Sequence, residues 1–118
     1  MTAHFGATGA TTRFEYSHTE DYAARTGVGK TIVFLDENEK VLRSEKYSTP
    51  KAVGEKGIEK VIITYGADEQ EKKAEYFYVG RIVGEKGFDK MILYFGDKGK
   101  EIKMEYYRNN GLIQTLTP

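Results

Sequence analysis

Two stretches of the chain lie over one another without a gap. VGEKGIEKVIITYGADEQEKKAEYF, residues 53–77, matches VGEKGFDKMILYFGDKGKEIKMEYY, residues 83–107, at 12 of 25 positions with a shift of 30. Self-similarity at such a period marks one supersecondary unit used again. A third, degenerate copy runs through GVGKTIVFLDENEKVLRSEKY, residues 27–47, without the EKG insertion and with a shorter turn. Each copy reads as loop, apolar strand, polar turn, alternating strand. Three β-hairpins are therefore expected, at about 27–48, 53–79 and 83–108. TRFEYS (12–17) and GLIQTL (111–116) add a strand on either side. The expected fold is all-β, an antiparallel meander of about seven or eight strands in a single domain, 1–118. Residues 1–11 are small, polar and glycine-containing and read as a flexible lead-in.

The first strand of each copy (TIVFL, VIITY, MILYF) is apolar at every position or nearly so, whereas the second (VLRSEKY, KKAEYFY, KEIKMEYY) alternates. Such a pattern places the first strands under cover on both faces. A wide apolar face is seldom left in water, and about eight strands suffice to close a small barrel. The sheet is accordingly expected to curl into a small barrel or a two-layer sheet. In the last copy Gly96-Asp97-Lys98-Gly99 supplies the turn. With Phe95 opposite Glu101, strict alternation puts Ile92, Tyr94, Ile102, Met104 and Tyr106 on one face as core. Met91, Leu93 and Phe95 then share the other face with Glu101, Lys103, Glu105 and Tyr107. Glu71, Lys73 and Glu75, repeated as Glu101, Lys103 and Glu105, are expected to form cross-strand ion pairs on a wet face.

Architecturally the three copies resemble the glycine-and-tyrosine-rich hairpin repeats of the MORN type. The likeness lies in the grammar of elements; the tight Tyr-x-Gly-x-x-x-x-Gly core and shorter spacing of those repeats are absent from all three copies.

ARTGVGKTIVFLDE, residues 24–37, carries most letters of a phosphate-binding loop. Such a loop must open a helix whose first N–H groups hold the anion. Here Thr31 to Leu35 is β-branched and aromatic, so a strand follows and nucleotide binding is not expected. Eighteen basic and eighteen acidic residues balance to zero formal charge, poor material for tracking phosphates, and nucleic acid is not an expected partner. No apolar run approaches the length of a membrane helix. The chain has no cysteine, which removes thiol chemistry and Cys-based zinc sites. No cofactor is implied.

Two functional classes fit these residues. The first is a non-enzymatic binding or interaction module. It would present a tyrosine-rich sheet face or barrel mouth to a protein, peptide, glycan or lipid, with Tyr65, Tyr76, Tyr78, Tyr94, Phe95, Tyr106 and Tyr107 as its surface. Tyrosine joins a large apolar body to a polar tip, which suits recognition. A protein, a small apolar or glycan ligand, or a second copy in a homodimer would serve as partner. The alternative is a small hydrolase or metal-dependent enzyme built on SHTEDY, where His18 with Glu20 and Asp21 could bind a metal or act as a base. Asp36 to Glu39 begins like a calcium loop, but Lys40-Val41 stands where a ligand and the turn glycine belong.

Overall fold

The computed structural model describes residues 2–5 and 11–117. It is one antiparallel sheet in which spatial order follows chain order without a crossover. Eight strands span residues 11–116: Thr11–Ser17 (β2), Val28–Leu35 (β3), Val41–Ser48 (β4), Ile58–Tyr65 (β5), Glu71–Tyr78 (β6), Lys90–Phe95 (β7), Glu101–Arg108 (β8) and Gly111–Leu116 (β9). A short strand, Thr2–Phe5 (β1), pairs with β2 along one edge. Met1 and residues 6–10 of the expected lead-in lie outside the described residues. The all-β meander and its three hairpins, β3 with β4, β5 with β6 and β7 with β8, are as the repeat implies. Among the described residues no helix is long and apolar enough to cross a membrane.

The connections from β2 to β3, β4 to β5 and β6 to β7, read as loops in the sequence, contain short helices: Glu20–Thr26 (α1), Pro50–Lys56 (α2) and Arg81–Lys86 (α3). Local chemistry explains them. Thr19 and Thr49 cap the first two, their side-chain oxygens accepting the backbone N–H of Tyr22 and Ala52. Gly27, Gly57 and Gly87 end all three in the left-handed conformation. Meander topology places these helices, with the Asn109-Asn110 turn between β8 and β9, at one end of the sheet and the turns of the three repeat hairpins at the other.

Each hairpin also carries a β-bulge beside its turn. Leu35 pairs with Val41 but Phe34 with Arg43; Tyr65 pairs with Glu71 but Thr64 with Lys73; Phe95 pairs with Glu101 but Tyr94 with Lys103. One residue is extra in each second strand, at 42, 72 and 102, again a spacing of 30. Phe95 does face Glu101 as expected, yet the bulge shifts every later pair by one and so exchanges faces. Ile92 and Tyr94 lie with Lys103, Glu105 and Tyr107; Met91 and Leu93 lie with Met104 and Tyr106. The face assignment made from strict alternation is therefore corrected.

The expected barrel or two-layer sheet is also corrected: the sheet stays open, with β1 and β9 as its edges. Its radius of gyration is 15.8 Å, against about 13.5 Å for a compact chain of this length. Curling was inferred because the first strands need cover on both faces. On one face that cover comes instead from long side chains of the neighbouring strands. Ile32, Glu45, Ile62, Glu75, Ile92 and Glu105 form one cross-strand row, isoleucine alternating with glutamate. The glutamates and their flanking rings and lysine stems lie over the isoleucines, leaving Ile32 and Ile92 buried and Ile62 half-buried.

Candidate functional site

The bulges sort side chains onto two faces of different chemistry. The isoleucine and glutamate row is bordered towards the helices by Lys30, Tyr47, Lys60, Phe77, Lys90 and Tyr107, cation and ring in alternation. The Lys30 ammonium lies 4.8 Å from the Tyr47 ring centre, Lys60 lies 4.9 Å from Phe77, and Lys90 lies 4.7 Å from Tyr107. Towards the turns, Arg43 sits 4.2 Å from the Phe34 ring and Lys103 4.3 Å from the Tyr94 ring.

Ion pairs on this charged face run along the strands. Arg13 meets Glu15 at 3.0 Å, Arg43 meets Glu45 at 3.2 Å, Lys73 meets Glu75 at 3.5 Å and Lys103 meets Glu105 at 3.8 Å. The expectation of cross-strand pairs is corrected here, because the residues opposite Glu75 and Glu105 in the register are isoleucines and Thr115. Glu105 also accepts from the Tyr94 hydroxyl at 2.6 Å and the Tyr107 hydroxyl at 3.0 Å. Those bonds, Tyr94 first, hold its carboxyl below the usual carboxylate range. Burial, then the same bond to Glu105, pushes the Tyr94 phenol well above its usual range. Tyr47 repeats the motif, donating to Glu45 at 2.7 Å, and that bond raises its phenol.

The opposite face is apolar. Its central row is Phe14, Val33, Ser44, Ile63, Ala74, Leu93, Met104 and Leu116, without a charge. The next row towards the helices is Tyr16, Thr31, Lys46, Val61, Tyr76, Met91, Tyr106 and Gln114, where Lys46 alone is charged. Ser44, Ile63 and Ala74 are buried among larger neighbours, the Ser44 hydroxyl lying 3.4 Å from that of Tyr65. Near α3, Phe88 bridges the face's margin, edge-on to Tyr78 at 5.5 Å and to Tyr106 at 4.7 Å.

The seven aromatic candidates thus divide. Register and bulge place Tyr65, Tyr76, Tyr78, Phe95 and Tyr106 on the apolar face, and Tyr94 and Tyr107 on the charged one. All seven are half-buried. With no barrel there is no barrel mouth. Reasoning from the sequence overlooked Lys30, Lys60, Lys90 and Arg43. Their signal was present: each of these lysines precedes an isoleucine of the row by two and recurs every 30 residues.

His18, Glu20 and Asp21 take separate local roles. The His18 Nε2 lies 2.8 Å from the Thr31 hydroxyl and its ring stacks on Tyr22 at 4.3 Å. Glu20 opens α1 and Asp21 pairs with Arg25 at 3.3 Å. Among the described residues no group of three or more His, Asp or Glu side chains is arranged to hold a metal. Gly29-Lys30-Thr31 lies inside β3, which continues as strand to Leu35.

Comparison of the chain with family models, with curated proteins and with solved structures finds no match.

Proposed function

We propose that the chain is a non-enzymatic interaction module whose apolar, tyrosine-lined sheet face docks a protein partner. One observation carries this reading: the ionic side chains of the strand interiors are gathered on one face, leaving the two central rows of the other with Lys46 as their only charge. A sheet that had to stay soluble on both sides would distribute its charges over both. Contiguous apolar surface of this kind on a folded chain marks an interaction site. Tyrosine and methionine, half-buried here at Tyr76, Met91, Met104 and Tyr106, are also side chains enriched at interfaces.

The test uses immobilised chain to capture partners from an extract of the source organism, with one substitution on each face. Leu93→Asp is expected to abolish capture, and Lys60→Glu to retain it. The reverse pattern would move the site to the charged face and sink the proposal.

A further inference from the structure

Resting on that reading of the apolar face, we infer that its occupant is a second copy of this chain, packed face to face into a two-fold, two-layer dimer. The first argument is area. A folded monomer of this mass exposes roughly 6,500 Å², whereas this chain exposes 7641 Å². The excess, about 1,100 Å², is of the order that one partner hides in a standard interface, about 800 Å². The face is wide enough to hide it: β2 to β9 at about 4.8 Å per strand, each about 23 Å long, cover on the order of 800 Å².

The second argument is what such a face requires of its partner. No side chain among the described residues is fully buried, so the sheet lacks the interior that a second layer provides. Sheets stack about 10 Å apart with strands within about 30° of one another, provided both twist with the same hand. A second copy meets that condition automatically, presenting equal width, equal twist and an equally uncharged central row. Two-fold self-association then satisfies both faces with one contact. Lys46 is exposed and lies two residues from the end of β4, so its ammonium can reach solvent at the rim while its stem stays in the interface.

Sedimentation of the full chain across a wide concentration range tests this, together with the rate at which peroxide oxidises Met91 and Met104. Both methionines are on the face in question. The expected result is a species of twice the chain mass, with oxidation of both methionines slowing as the dimer fills. Leu93→Asp should give a folded monomer, judged by its strand circular dichroism, while Leu112→Lys on the exposed edge strand should remain dimeric. A monomer at every concentration, with concentration-independent oxidation, would overturn the inference. So would a dimer broken by Leu112→Lys but not by Leu93→Asp, which would mean joining through the edge. If Leu93→Asp does not fold, methionine protection in the unaltered chain decides. A monomer that still captures a different protein through Leu93 would defeat this inference and leave the proposed function standing.

Discussion

Gly57 and Gly87 occupy the same place in successive repeats, ending α2 and α3 with φ of +72° and +82°. Their surroundings differ. A Cβ on Gly57 would fall 2.0 Å from the Ile82 Cγ2, whereas one on Gly87 would meet nothing within 4 Å. Gly87→Ala should therefore cost only backbone strain, about 1–2 kcal/mol, and Gly57→Ala clearly more, because Ile82 must also move. Urea denaturation of both variants measures the difference, and equal costs would show that the helices do not pack as described. Glu105 supplies a pH signature. Its folded value is depressed, so its contribution is complete above the unfolded carboxylate value near 4 and is lost as pH falls through the folded value. Tyr94 has the opposite sign: its raised value makes its contribution complete below about pH 10 and lost as pH climbs above that. Glu105→Gln should flatten the acid limb of stability against pH, and Tyr94→Phe the alkaline limb. Both residues were readable as strand positions, but their bond depends on a register set elsewhere.

That register is the work of the bulges. Ile102 is the extra residue of β8 and is 52% exposed. Ile102→Thr should change stability by no more than about 0.5 kcal/mol. Deleting Ile102 removes the bulge but leaves Lys103 opposite Tyr94 and Met104 opposite Leu93, so the deletion should keep both faces and a cooperative thermal melt. A deletion variant that loses cooperative unfolding would show that Ile102 is not an extra residue in the ladder. Hairpins and turns were legible because apolar runs and Gly, Asp and Asn clusters act within a few residues. A bulge leaves no such mark, since one extra residue in an alternating strand looks like alternation until its partner is known. The helices escaped for a related reason. Six or seven residues give fewer than two turns, too little for a 3.6-residue period to show, although Thr19, Thr49 and the closing glycines were in place.

In an open meander each strand is held only by its neighbours, so protection should grade from centre to edge. Amide hydrogen exchange is expected to be slowest in β4 to β6 and fastest in β9, whose six residues are all exposed. Uniform protection would indicate that the edges are joined or covered. The repeat, the strand order and the all-β class were legible because they rest on local hydrophobic period and on short connections, which leave consecutive strands little choice but to pair. Whether the sheet closes was not. Closure depends on strand tilt, on accumulated twist and on whether each apolar row is already covered, and these are sums over all the strands. Here the lysine, glutamate and ring side chains of adjacent strands cover the isoleucine row, which removes one reason to curl. The division into a charged and an apolar face likewise follows from three bulges acting together, a consequence of pairing between strands that no single strand encodes.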